Sequence, residues 1–205
     1  MHLHPAKNEA SKNAADAGLS LLSYLSREAV HRAGTASEAI RVADGLHVVP
    51  KFLGNRAPFA DPEARAIIAG LGMDQTEASL LALYVAGLSG VGYGLRQILE
   101  VQAQHGAPVR RIVISGGAGQ DDLVRQLLAD ISGLPVVVTE VQEPVLLGSA
   151  ILGALAAGHY TTMQEAMSAM TRARQSFEPA GRQIAELHRR RFAMFQALQR
   201  AARLN

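Results

Sequence analysis

Two short runs of β-branched residues, separated by a helical pattern, dominate the hydrophobic pattern of residues 109–158. Ile112-Val113-Ile114 predicts a buried strand that stops at the pair Gly116-Gly117, and Val136-Val137-Val138 predicts a second strand. Between them, leucine and isoleucine recur at helical spacing over residues 123–131. This order predicts a right-handed strand–helix–strand crossover, with a ligand site at the carboxyl end of the first strand.

Residues typical of helix ends flank the predicted helix and open another helix after the second strand. Asp121 and Asp122 suit the positive N-terminus of the first helix, and Gly133 suits its C-cap. Glu143-Pro144 opens a second helix, which we expect to pack very closely against a flat surface because it is rich in small residues. These residues are Gly148, Ala150, Gly153, Ala154 and Ala157.

The pattern elsewhere predicts mostly helices, and residues 1–12 are expected to be irregular. Thr76–Gln104 is expected to form one long buried helix, or two, lying tightly beneath the sheet through its glycines. Asp61-Pro62 is typical of a helix start, where the carboxylate caps free N–H groups. The other predicted elements are helices at Asn13–Arg32, Thr35–Asp44, Thr162–Met170 and Gly181–Ala202, and a strand at Leu46–Val49.

Composition narrows the class of protein. The 205 residues suffice for one domain with a sizeable core, and 48% of them are apolar. Cysteine is absent, which excludes disulfides and thiolate metal sites and suits a reducing compartment. His2 and His4 have suggestive spacing, but they lie at a terminus and are interpreted as no metal site. With no apolar signal segment at the N-terminus, a cytoplasmic location is expected.

Two uncharged stretches, Ala78–Leu95 and Pro144–Gln164, are long enough to suggest membrane spans. Both are rich in Gly, Ala and Ser, so buried helices of a globular domain explain them better.

The last predicted helix carries many arginines, which favours either a nucleic-acid patch or a solvated, subunit-facing surface. Aromatic residues are few and no nucleic-acid motif is present, so the second interpretation is favoured and neither nucleic acid nor membrane is expected as a partner.

An isolated glycine pair is most often only a tight turn, but a longer pattern surrounds this one. GGAGQDDLVRQLLADISGLPV followed by EPVLLGSAILGALAAG resembles the adenosine-binding segment of the FGGY carbohydrate kinases, in the actin/hexokinase/Hsp70 superfamily. GNRAPFADPEARAIIAGL, residues 54–71, resembles the other signature of that family. The resemblance implies a partial ribonuclease-H-like α/β domain of the actin-like ATPase type, helix-rich and lacking its early strands.

The resemblance also implies a ligand and a site. It places ATP or ADP beside Gly116, Gly117 and Ala118, where backbone can approach the nucleotide, and beside Asp121 near the base or ribose. It assigns no catalytic role to Asp61, and the family's phosphate grip, catalytic Asp, sugar contacts and Mg²⁺ ligands are expected in a portion outside this chain. Asn8-Glu9 matches the family's NEGGQS segment only loosely.

Three hypotheses follow from these observations. The first is that residues 1–205 form the C-terminal nucleotide-binding domain of a sugar kinase of the ribulose (pentulose) type, inactive without its N-terminal lobe. The second is a non-catalytic nucleotide-binding or protein-interaction module, and the third is a structural fragment that binds nothing. In each case an uncovered sheet edge predicts self-association or a partner lobe.

Overall fold

The computed structural model describes residues 4–116, 120–141 and 143–202. These residues contain seven α-helices, a 3₁₀ helix and five short strands. The first half contains α1 (Lys7–Asp16), α2 (Leu21–Ala33), the 3₁₀ helix (Glu38–Ala43), β1 (His47–Val49), β2 (Ile67–Ala69) and α3 (Glu77–Gln104). The second half contains β3 (Ile112–Ile114), α4 (Asp122–Ser132), β4 (Val136–Thr139), α5 (Pro144–Ala156), α6 (Met163–Met170), β5 (Ala173–Phe177) and α7 (Arg182–Ala201).

The predicted crossover is present. β3 and β4 are parallel neighbours, with Ile112 opposite Val136 and Ile114 opposite Val138, and α4 connects them. Val136 and Val138 pack with Ala129 of α4, so α4 covers one face of the sheet. The sequence did not predict β5, which pairs antiparallel with β4 and completes the sheet order β3-β4-β5. Its residues ARQSF are polar and mostly exposed, so they carry no hydrophobic signal.

The long helix α3 is the centre of the larger core. It is a single helix that packs against α4, β1 and the 3₁₀ helix, so α4 lies between it and the three-stranded sheet, contrary to the predicted position beneath the sheet. Two of its glycines permit close approach: a Cβ at Gly90 would lie 2.2 Å from the carbonyl oxygen of Val48, and one at Gly92 would lie 2.6 Å from Cδ1 of Ile131.

By length and composition, α3 is the one helix in the described part of the chain that could cross a membrane. Half of its most apolar window is buried within the structure, as expected for the core helix of a globular domain. Buried α3 residues such as Leu80, Leu81 and Val85 contact the helices around it. The structure therefore explains the apolar stretch by packing.

The structure of the N-terminal helices differs from two predictions, the irregular residues 1–12 and the single helix at Asn13–Arg32. α1 begins at Lys7, so residues 7–12 are helical rather than irregular. The single helix predicted for Asn13–Arg32 is broken: Gly18 has φ +67°, and Ser20 caps α2 by accepting the Ser23 N–H at 3.1 Å. Gly18 and Ser20, which lie between the apolar residues of the two helices, are the sequence signal for this break.

Asp61-Pro62 does not start a helix. The Asp61 carboxylate accepts the N–H groups of Glu63 (3.0 Å) and Ala64 (3.1 Å), which is the predicted capping chemistry in an isolated turn. The Asp61 backbone instead pairs with Asn55 in both directions, at 2.6 and 2.7 Å. The loop between β1 and β2 therefore closes on itself.

The helix α5 is present, but its close packing is not. Ile151 is the buried residue of α5 in the described structure, whereas Val145 is 78% exposed and Leu146 67%. A Cβ added at Gly148 or Gly153 would meet nothing within 4 Å. Within the described residues, neither glycine of α5 lies against a surface, although α5 does contact α6.

Candidate functional site

The predicted site lies where β3 ends and α4 begins. Gly116 follows the strand and has φ +82°, a conformation that glycine adopts without strain. Asp121 is the N-cap of α4. The other two predicted residues, Gly117 and Ala118, lie outside the described residues. The structure thus places Gly116 and Asp121 at the two ends of one loop, at the carboxyl end of a parallel strand.

Asp121 forms a well-defined cap. Its Oδ1 accepts the N–H of Leu123 at 2.9 Å and the N–H of Val124 at 3.2 Å. Both bonds use the same oxygen, so Oδ2 remains outside the capping interaction. The carboxylate also lies at the N-terminus of α4, where the helix dipole attracts negative charge.

An apolar cavity of about 950 Å³ opens beside Asp121. Its volume lies at the upper end of the range typical of small-molecule sites. Side chains of α3, α4, the start of α2 and the β1–β2 region line it: Ser20, Leu22, Ser23, Val48, Pro50, Phe52, Ile68, Leu83, Tyr84, Gly87, Leu88, Val91, Ile114, Gln120, Asp121, Val124, Leu127 and Leu128. Most of these residues are aliphatic, with a few polar groups near Asp121.

Tyr84 is a polar group that the sequence did not single out. Its hydroxyl lies 2.6 Å from Oγ of Ser26, and both residues are buried. Burial raises the pKa of Tyr84, and the negative charge of Asp121 raises it further, while the hydrogen bond to Ser26 acts in the opposite direction. The tyrosine is therefore a neutral hydrogen-bonding group on the cavity wall, within electrostatic reach of Asp121.

The first turn of α2 supplies a second polar edge of the cavity. Oγ of Ser20 and Oγ of Ser23 lie 2.8 Å apart, and both residues line the cavity. Glu77, at the start of α3, holds α2 and α1 in place because it accepts from Tyr24 Oη and Asn13 Nδ2, each at 3.1 Å. The sequence could not reveal this wall, because it depends on contacts more than fifty residues apart.

A separate polar cleft of about 600 Å³ adjoins the apolar cavity. Gly116 lines this cleft and Asp121 lines the apolar cavity, while Ile114 and Gln120 line both. The remaining lining residues are Ser115, Asp122, Arg125, Val138, Thr139, Glu140, Val141, Glu143, Arg174 and Gln175. The two described residues of the predicted site, Gly116 and Asp121, therefore border two different cavities, which share Ile114 and Gln120.

The described residues contain no cluster of metal-ligating side chains. Within residues 4–116, 120–141 and 143–202, no group of three or more His, Asp or Glu side chains is arranged to hold a metal ion. Asn8 and Glu9 lie in α1 and do not line either cavity. The arrangement offers apolar walls and a capped helix N-terminus for binding.

Solved structures share this architecture. A xylulose kinase from Brucella ovis superposes on 96% of this chain and 37% of its own, with a TM-score of 0.72 and 22% identity. A Plasmodium falciparum glycerol kinase with ADP superposes on 88% of this chain and 36% of its own, with a TM-score of 0.68 and 19% identity. These likenesses define the class: a helix-rich α/β domain of the actin-like ATPase fold, as found in sugar kinases.

Sequence similarity identifies the family. The profile of the C-terminal domain of FGGY carbohydrate kinases matches residues 2–157. An FGGY carbohydrate kinase domain-containing protein of Danio rerio is 31% identical over 94% of this chain and 35% of its own length. A D-ribulokinase of Saccharomyces cerevisiae is 36% identical over 79% of this chain, and a glycerol kinase of Ectopseudomonas mendocina is 38% identical over 76%. The chain belongs to the FGGY family of carbohydrate kinases and contains its C-terminal domain.

The chain spans about a third or less of the length of these relatives: 35% of the Danio rerio protein, 23% of the D-ribulokinase and 30% of the glycerol kinase. Kinases named for different substrates are similar to the chain to nearly the same degree, since the D-ribulokinase is 36% identical to it and the glycerol kinase 38%. The comparisons fix the domain and the family but not the sugar.

Proposed function

We propose that this domain binds the adenosine part of ATP or ADP for a kinase that transfers the γ-phosphoryl group to a sugar hydroxyl. The observation that carries the proposal is the position of Asp121, which caps α4 at the edge of a large apolar cavity. Gly116 and the loop after it would lie along the nucleotide, together with Gly117 and Ala118. A cytoplasmic location fits this activity.

The cavity has the chemistry that a nucleoside requires. Aliphatic side chains such as Leu88, Val91 and Val124 line it, and they provide flat apolar contact for a purine ring. Tyr84, Ser20 and the second oxygen of Asp121 supply hydrogen-bonding groups for base or ribose. Because the walls are preformed, they can orient the nucleoside end and exclude water from it.

Phosphoryl transfer needs groups that we place elsewhere. Such transfer depends on a phosphate grip, a metal ion near carboxylates, and a group that orients the attacking hydroxyl. The described residues offer no cluster for a metal, so we assign Mg²⁺ binding, the catalytic carboxylate and the sugar contacts to an N-terminal lobe outside residues 1–205. In this assignment the chain is the nucleotide-binding domain and the lobe performs the chemistry.

We further propose a pentulose such as D-ribulose as the acceptor. The proposal rests on similarity to the D-ribulokinase of Saccharomyces cerevisiae and on the signature of residues 54–71. A second candidate, a non-catalytic nucleotide-binding module, is favoured by the lack of a metal-ligating cluster in the described part of the chain.

Nuclear magnetic resonance titration with adenosine tests the binding proposal. Shift changes at Tyr84, Val124 and Ser23 are expected, since these residues line the cavity around Asp121. Changes confined to surfaces far from the cavity would contradict the assignment.

A second experiment distinguishes the two candidate functions. The chain is mixed with the N-terminal lobe of the yeast D-ribulokinase and assayed with D-ribulose. Phosphorylation supports the kinase, and binding without turnover supports the non-catalytic module.

A further inference from the structure

A buried arginine of α7 has no carboxylate partner in the described part of the chain. Arg191 is only 9% exposed. Its Nη2 donates to the carbonyl of Leu46, just before β1, but none of the ion pairs among the described residues includes it. Burying a charged group is unfavourable unless an opposite charge or enough hydrogen bonds compensate it. The surroundings of Arg191 are therefore short of negative charge.

The positive charge of Arg191 acts on two buried neighbours. Burial raises the pKa of the Tyr93 hydroxyl to about 12, while the charge of Arg191 and a hydrogen bond with it act in the opposite direction. Burial, together with the charges of Arg191 and Arg96, lowers the pKa of His188 to about 4. Arg96 has a partner, because it forms an ion pair with Glu100 at 2.9 Å. Arg191 thus supplies the uncompensated charge in this interior.

The bonds of the Tyr93 hydroxyl determine which nitrogen of His188 carries the proton. Oη lies 3.0 Å from Nδ1 of His188, and it accepts from Arg191, because a guanidinium can only donate. The hydroxyl hydrogen then has Nδ1 as its acceptor. Since His188 is neutral at pH 7, its own proton lies on Nε2. This nitrogen is therefore a hydrogen-bond donor.

Two buried N–H donors of α7 consequently have no acceptor. Nε2 of His188 and Nε of Arg191 lack a hydrogen-bond partner among the described residues. The two residues are three positions apart and lie on the same face of α7. Gln97 and Gln199, which bond to each other at 2.9 Å, differ in having one unpaired acceptor and one unpaired donor. At His188 and Arg191, in contrast, both unpaired atoms are donors.

We propose that His188 and Arg191 bind a small inorganic anion of the size of chloride at the interface of α7 with α3 and β1. The anion accepts from both nitrogens and compensates the charge of Arg191. A water molecule could accept the same two bonds, but its own hydrogens would need buried acceptors and the charge would remain uncompensated. The anion fastens α7 to α3 and β1, and this role does not depend on the nucleotide site.

Urea denaturation of the full chain in different sodium salts at equal ionic strength tests the proposal. A ligand that binds only the folded chain lowers its unfolding equilibrium constant. Replacing about 0.2 M gluconate by chloride should lower this constant at least about threefold, because gluconate is too large for a buried site. Bromide should act as chloride does. An unfolding constant that is no lower in chloride or bromide than in gluconate would overturn the proposal.

Two variants on α7 make the test specific. Arg191→Gln removes the buried charge and the Nε donor, so its stability should no longer respond to the exchange of gluconate for chloride. Arg190→Gln makes the same change of charge at an exposed neighbouring position and should keep the response of the parent. A response that persists in Arg191→Gln, or disappears in Arg190→Gln, would show that the anion acts elsewhere.

A bromide-soaked crystal of the parent chain provides a measurement that does not require Arg191→Gln to fold. The expected result is an anomalous scattering peak within hydrogen-bonding distance of both Nε2 of His188 and Nε of Arg191. A water molecule in contact with these nitrogens, or no anomalous peak beside them, contradicts the proposal.

Discussion

The hydroxyl of Tyr93 lies 3.0 Å from Nδ1 of His188, and this buried contact joins α3 to α7. Phe192 and Phe195 surround the tyrosine ring, with centroids at 6.0 and 5.8 Å. The guanidinium of Arg96 lies 4.5 Å from the centre of the Phe192 ring. The basic residues of α7 are thus not all on the surface: Arg191 is buried and donates to the carbonyl of Leu46.

The buried histidine predicts how stability depends on pH. Burial, together with the nearby charges of Arg191 and Arg96, lowers the pKa of His188 to about 4. The unfolded chain binds this proton near pH 6.5, so between about pH 6.5 and 4 protonation favours unfolding, and the loss levels off below pH 4. The full effect is on the order of 3 kcal/mol. Chemical denaturation across this range measures it.

Two variants distinguish the contribution of His188 to the pH dependence of stability from that of carboxylates that titrate in the same range. His188→Asn should flatten the dependence between pH 6.5 and 5, at a cost in stability at pH 7. His159→Asn, at an exposed position, should leave the parent's dependence unchanged. Equal slopes for the parent and His188→Asn would show that His188 is not the group responsible.

Two glycines of α3 should respond oppositely to alanine. At Gly90 a Cβ would meet the Val48 carbonyl at 2.2 Å, so Gly90→Ala must displace backbone and should lower the melting temperature. At Gly94 nothing lies within 4 Å, and alanine should stabilise the helix by about 0.5–1 kcal/mol. Thermal unfolding of both variants checks this, and a stabilised Gly90→Ala would mean that α3 and β1 are not in close contact.

Asp121 should have two separable roles. Asp121→Ala removes the α4 cap and should cost about 1 kcal/mol of unfolding free energy, whereas Asp121→Asn retains a cap. If Asp121 also contacts the nucleoside, the alanine variant should bind adenosine more weakly than its loss of stability explains. Thr162→Ala, which removes the α6 cap far from the cavity, is the matched control. It should lose stability alone, and the adenosine role is rejected if both alanine variants bind like the parent.

The chain alone should not phosphorylate D-ribulose, other pentuloses, pentitols or glycerol. Phosphoryl transfer is catalysed almost entirely by positioning and electrostatic stabilisation, and we assign those groups to another lobe. A coupled assay of ADP release over this panel of sugars provides the measurement. Turnover that depends on a sugar would place a catalytic group within residues 1–205.

Local signals predicted the centre of the fold from the sequence. The β-branched runs of β3 and β4, the acidic start of α4 at Asp121 and Asp122, and its C-cap Gly133 are decided by residues close in sequence, and each is confirmed. β5 was missed because an exposed polar strand is specified by its partner β4 rather than by its own pattern.

Long-range packing explains the remaining differences. The small residues of α5 predicted a close neighbour, but no local signal says which part of a protein provides it, and α5 is mostly exposed here. The cavity wall of Ser20, Ser23 and Tyr84 likewise arises from α2 and α3 meeting across the sequence. The role of the Gly116–Asp121 loop in binding adenosine stays a prediction.

Calorimetric titration of the wild-type chain with ATP and with ADP tests the central proposal most directly. Since only the nucleoside end finds its partners here, the two nucleotides should bind weakly, with dissociation constants within a factor of about three. Gly117→Val, which adds a branched side chain beside the expected nucleotide, should abolish both signals while the fold persists. Binding of neither nucleotide, or a strong preference for ATP over ADP, would contradict a domain that recognises adenosine alone.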